Sequence, residues 1–181
     1  TTEIYTLSLH DALPICFCLF LSSCLFPLIH FNRITDKRNL LLKRLKKNNI
    51  KINKSLFIIA TTHSKDPKEN YNSRFYELAQ VGDSVLRLLV CSFGFDKFKT
   101  KGEISNLLKN NVSNENNSLM FGKILEKLKF EDHNLLKTYN NGKISDKMRE
   151  TCYEALIRCI YKSNNNDILI CNQFIKLFNK N

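Results

Sequence analysis

The sequence predicts an all-α fold, and three observations carry the prediction. Apolar residues recur at helical spacing from Asn53 to Asn179. No stretch alternates apolar and polar residues, and no hairpin dipeptide sits between β-branched runs. Hydrophobic residues make up 43% of the 181, enough for a packed core, which excludes a disordered chain. Five glycines and three prolines exclude collagen-like and low-complexity classes, and the length suits one ordinary domain with a tail.

The elements follow in order. Asn53–Thr62 is a short apolar helix. Asn72–Phe93 is a long one, so apolar toward its C-terminal end that it is expected at the centre of the core, with Gly94 as its stop. Ile104, Leu107, Leu108 and Val112 mark the next helix. Ser113 is an N-cap for another, carried by Leu119, Phe121, Ile124, Leu125 and Leu128. Residues 129–143 are mostly polar and hold the turn signal Asn140-Asn141-Gly142. Ser145 and Asp146 start a helix that runs to Tyr161, Ser163–Asn166 breaks the pattern, and Asp167–Asn179 is a last amphipathic helix.

The N-terminal part reads differently. Residues 1–15, TTEIYTLSLHDALPI, resemble a sequencing-library adapter translated in frame at all fifteen positions. They are expected to be an adapter-derived artefact and are set aside from the fold. Ala12–Ile29 is uncharged but holds Pro14 and Pro27, and without the adapter it shrinks to 14 residues, short for a membrane span. Thr35–Lys47, TDKRNLLLKRLKK, suits a short basic helix. The expected partition is therefore 1–15 artefact, 16–52 apolar then basic leader or linker, and 53–181 the globular domain.

Lys and Arg number 28 against 17 Asp and Glu, a net charge of +11, which points to a polyanionic partner. The 22 asparagines beside so many lysines point equally to codon bias, so charge alone decides little. The seven cysteines show no CxxC and no zinc-ligand spacing, which excludes a structural zinc site and a disulfide framework. Reduced, buried thiols in an intracellular protein are expected, with cytosol or organelle left open.

Two segments carry the chemistry. One is Tyr76-Glu-Leu-Ala-Gln-Val-Gly-Asp-Ser-Val-Leu86; the other is Arg149-Glu-Thr-Cys-Tyr-Glu-Ala-Leu-Ile-Arg-Cys-Ile-Tyr161. They resemble the two signature helices of the ribonuclease III domain family. Ala60-Thr-Thr-His63, Lys101-Gly-Glu-Ile-Ser105 and Val112-Ser-Asn114 resemble three lesser motifs of that family, in the same order. The resemblance covers the globular part and implies a ribonuclease III-type helical domain, dimeric, that cleaves double-stranded RNA with Mg²⁺ or Mn²⁺. It also implies that Asp83 and Glu154 are the catalytic metal ligands, since hard divalent cations take carboxylate oxygens.

Three family carboxylates are replaced here, by Tyr76, Ala79 and Thr151. At 100° per residue Tyr76, Ala79 and Asp83 share a face, whereas Glu77 points about 120° away and is no substitute. Glu150, one turn before Glu154, shares its face and is the third expected metal ligand. The short Mini-III subclass has similar Ala and Thr residues at two of these places, so activity is compatible with the departures. Arg158 stands where the family usually has Gly, which puts close packing there in doubt. The plainer alternatives are a cap or ion pair for Asp83 and Glu154, a solvated side chain for Glu150 and a structural role for His63. The rival functional expectation is a catalytically degenerate domain that binds RNA or a ribosome. A membrane-anchored protein is a third, resting on residues 12–29 alone, and no membrane partner is expected.

Overall fold

In a computed structural model, two helices cross so closely that only a glycine fits between them. The structure describes residues 36–63, 71–94, 100–138 and 142–179. The proposed adapter and the apolar stretch after it lie outside the described residues. In chain order the elements are α1 (Asp36–Lys47), α2 (Lys54–Ala60), β1 (Thr62–His63), α3 (Tyr71–Gly94), α4 (Lys101–Asn111), α5 (Asn114–Leu128), α6 (Asp132–Leu135), β2 (Lys137–Thr138), α7 (Asp146–Ser163) and α8 (Ile168–Asn179). The fold is all-α, as expected from the periodicity.

Local signals account for the boundaries. Asn53, Ser113 and Ser145 cap α2, α5 and α7, each accepting from a backbone N–H three residues on. Thr100 and Glu103 form a reciprocal capping box on α4. Asn49, Asn165 and Asn166 take left-handed backbone conformations after α1 and α7, which Asn tolerates better than most residues.

Three expectations need correcting. The centre is shared, with α7 beside the expected α3 and more completely buried. Glu150–Ile157 of α7 are buried without a break, while α3 leaves Val81, Leu88 and Phe93 exposed. Apolar content along α3 exceeds what its inner face covers; α3 packs against α2, β1, α4, α7 and α8, and α7 against α2, α3, α5 and α8. Second, residues 129–143 are not simply loop. They hold the one-turn α6 and β2, which pairs in parallel with β1 through Thr62↔Lys137 and His63↔Thr138. Two-residue strands carry no alternation to read.

Third, the domain begins at Asp36, and the basic leader is part of it. Leu41 and Leu45 of α1 are fully buried in the core. Arg38 is 6% exposed, its Nε donating to the Leu135 carbonyl at 3.0 Å and its Nη2 to the Thr61 carbonyl at 2.6 Å. Lysines around a three-leucine run look solvated in sequence, but Leu41 and Leu45 face inward while Leu40 stays exposed. Among the described residues, no helix is long and apolar enough to cross a membrane.

Candidate active site

The α3–α7 crossing builds the site. A Cβ on Gly82 would overlap the Glu154 carbonyl oxygen and stand 2.6 Å from its carbonyl carbon. No other residue permits that approach. It sets Asp83, next in the chain, beside the turn of α7 that carries Glu154 and Glu150. Asp83 is partly exposed at the rim, its side chain 29% accessible, while Glu154 lies at 8% and Glu150 at 3%. Both commonly charged α7 carboxylates thus sit inside the fold, facing α3 and α5.

Burial of a carboxylate requires compensation. Asn117, itself buried in the first turn of α5, donates from Nδ2 to Glu154 Oε1 at 3.0 Å. Glu150 accepts from Lys147 Nζ at 2.9 Å, and Asp83 accepts from Arg87 Nε at 2.8 Å. Burial pushes the Glu154 carboxyl up to about 7, helped by the negative charges of Glu150 and Asp83 and opposed by the Asn117 hydrogen bond. The raised proton affinity of Glu154 thus reports two further acids close by, and carboxylate oxygens are the donors a hard cation takes.

The pH consequence has a definite sign. Folding raises this carboxyl from 4.5 to about 7, so the folded state holds the proton more tightly than the unfolded one. The stability it contributes is complete below about pH 4.5 and is lost as pH rises to about 7. In a chelator, thermal unfolding at pH 8 is expected well below that at pH 5, with up to about 3 kcal/mol at stake. Glu154→Gln should flatten most of that dependence; an unchanged pH profile in the variant would assign it elsewhere.

The three replaced carboxylates have structural occupations. Ala79 is buried against the crossing, Thr151 donates its hydroxyl to the Lys147 carbonyl at 2.7 Å, and Tyr76 Oη lies 3.2 Å from His63 Nε2. His63 is buried between α2 and α3, with edge-on contacts to Phe75 and Tyr76, the structural place expected for it. Glu77 is exposed and turned away, as the helical geometry requires. Arg158 causes no clash, because the close crossing lies one turn earlier and its guanidinium stacks over Tyr161 at 5.7 Å.

Among the described residues, no three His, Cys, Asp or Glu side chains come together where they could hold a metal ion. The donor chemistry nevertheless fits Mg²⁺, which is held by one or two carboxylates and completed by water and substrate oxygens. Cysteine plays no part here: Cys152, Cys159 and Cys171 are buried, and burial raises all three thiols, Cys159 and Cys171 to about 12.

Sequence reasoning missed Asn117, Arg87 and the pairing of Lys147 with Glu150. Asn117 stands in the run Asn114-Glu115-Asn116-Asn117, and only the helical phase of α5 against α7 distinguishes it. Arg87 and Lys147 were findable, since each lies one turn from its acid, at i+4 from Asp83 and i−3 from Glu150.

Known proteins resemble this arrangement. Residues 77–165, which hold Asp83, Asn117, Glu150 and Glu154, match the profile of the ribonuclease III domain. Ribonuclease 3 of Mycoplasmopsis synoviae (strain 53) is 37% identical over 126 residues, covering 65% of this chain. The chain spans about half the length of that curated relative, 52%. A solved nuclease domain of ribonuclease III from Campylobacter jejuni, described for flexibility in a region involved in dimer formation, superposes with a TM-score of 0.56 at 27% identity. That likeness covers 70% of this chain and 89% of the other. The sequence match and the likeness in fold agree, and the chain carries a ribonuclease III domain.

Proposed function

We propose that the protein is an endoribonuclease that cleaves double-stranded RNA with Mg²⁺, as a homodimer. The observation that carries this is the convergence of Asp83 and Glu154 at the Gly82 crossing, with Glu150 close enough to raise the proton affinity of Glu154. A divalent cation at this place would supply a Lewis acid and an activated water for phosphodiester hydrolysis. Asp83 and Glu154 would hold it. Asn117 orients the Glu154 carboxylate from behind. Glu150 spends its charge on Lys147 rather than on a ligand position, and so fixes an ammonium at the rim, where the scissile phosphate would approach. The exposed Val81 and Leu88 of α3, two turns apart, offer an apolar face for a second copy, in keeping with the dimer-forming neighbour.

The test is cleavage of a duplex RNA by the parent protein with Mg²⁺, with chelator, and by Asp83→Asn. Cleavage is expected with Mg²⁺ alone. A parent that cuts nothing, or an Asp83→Asn variant that cuts equally well, overturns the reading.

One observation favours a second reading, a degenerate domain that binds RNA without cutting it. Arg87 already neutralises Asp83, and Lys147 neutralises Glu150. In the first reading Arg87 is merely a competitor for the cation. The pair is exposed and contributes little to stability, below about 0.5 kcal/mol. Arg87→Ala is therefore expected to tighten Mg²⁺ binding severalfold in calorimetric titration, with thermal unfolding almost unchanged. No gain in affinity would favour the second reading.

A further inference from the structure

We infer that a groove between the C-terminal ends of α1 and α5 is a second contact surface for the RNA phosphate backbone, away from the carboxylates. The groove encloses about 650 Å³, with Lys43, Arg44 and Lys47 on one wall and Lys127 and Lys129 on the other. No acidic residue lines it; Glu126, next to Lys127 in sequence, faces a different groove. Among the described residues, Lys43, Arg44, Lys47 and Lys129 form no ion pair.

The plain alternative is that these cations balance two helix ends. Arg44 does part of that work, since its Nη1 donates to the Lys127 carbonyl at 3.3 Å. Each helix C-terminus carries only about half a negative charge, so two of them neutralise about one cation. Of the four charges on Lys43, Arg44, Lys47 and Lys129, about three remain. Arg44 is also fixed in place, its guanidinium 5.4 Å from the centre of the Phe178 ring, so its charge is presented with little rotamer entropy left to lose.

Shape selects the polyanion. Cations on both walls of a concave groove follow a rod-like backbone, whereas a lipid surface would reach the rim alone. Position agrees. Asn117, which holds Glu154, and Lys127 are ten residues apart on α5, about 15 Å along its axis. That is short beside the roughly 16 base pairs over which shape-reading RNA domains make contact. The inference rests on the proposed function for the identity of the polyanion.

The test is duplex RNA binding by the full chain in chelator, followed by anisotropy across a salt series. Lys43→Glu/Lys47→Glu/Lys129→Glu is expected to weaken binding at least tenfold at low salt. The slope of log affinity against log salt should fall by about two to three. The neutral triple Lys43→Gln/Lys47→Gln/Lys129→Gln should lie between it and the parent, with both variants unfolding at the parent temperature. Equal affinity and slope in the variants overturns the inference, as does loss of binding to anionic vesicles with RNA binding intact. Patch-dependent binding by a parent that cuts nothing would sink the catalytic reading and leave this one standing.

Discussion

Gly82→Ala is expected to cost at least about 3 kcal/mol of folding stability, the upper end of what overpacking does. The new methyl would meet the Glu154 carbonyl, and a backbone cannot rotate aside as a flexible side chain can. Either α3 and α7 separate along their length or the crossing shifts. Both options loosen the core layer of Val85, Leu86, Ala155 and Leu156. Gly102 and Gly122 provide the comparison. A Cβ at either meets nothing within 4 Å, and both lie inside helices. Alanine at those positions should stabilise by about 0.5–1 kcal/mol. Urea unfolding of the three variants checks the set. If Gly82→Ala unfolds with the same midpoint as Gly102→Ala, the crossing is not as close as described.

Glu154→Gln is expected to lower duplex cleavage about a thousandfold, since a lost cation ligand forfeits several kcal/mol of transition-state stabilisation at about 1.4 kcal/mol per decade. Glutamine keeps the shape of the side chain and an oxygen for the Asn117 amide, so the fold is retained. It removes the charge that Asp83 and Glu150 oppose. The same substitution should therefore raise the thermal midpoint at pH 8 in chelator while abolishing cleavage. Loss of activity together with loss of stability would instead assign Glu154 a structural role. Single-turnover cleavage and thermal unfolding on one preparation separate the two outcomes.

Much of this was readable from spacing. The long α3, the Ser145 cap of α7 and the Asn-rich break after it all follow from apolar period and capping chemistry, within two residues at each end. The place of Asp83 and Glu154 was readable as motif; that they face each other follows from Gly82, whose importance no periodicity displays. What stayed hidden depends on distant partners. Asn117 owes its role to a residue 37 positions away, and Arg38 to a carbonyl 97 positions away. The leucines of α1 carry a helical stripe, but nothing local says what that stripe would bury against. The central place of α7 was hidden for the same reason. Its charged residues suggest an exposed helix, and only their pairing with Asn117, Lys147 and Asp132 explains how it is surrounded.

The grip of Arg38 also sets an order of events. Its two acceptors, the carbonyls of Thr61 and Leu135, lie far apart along the chain, 23 and 97 residues beyond Arg38. On a growing polypeptide, α1 emerges among the first described segments, yet the second of its two anchors is not synthesised until Leu135. Closing a loop of that length costs entropy that no local contact repays. The segment with the most basic surface therefore stays undocked through most of synthesis, and its docking is a late step that completes the domain.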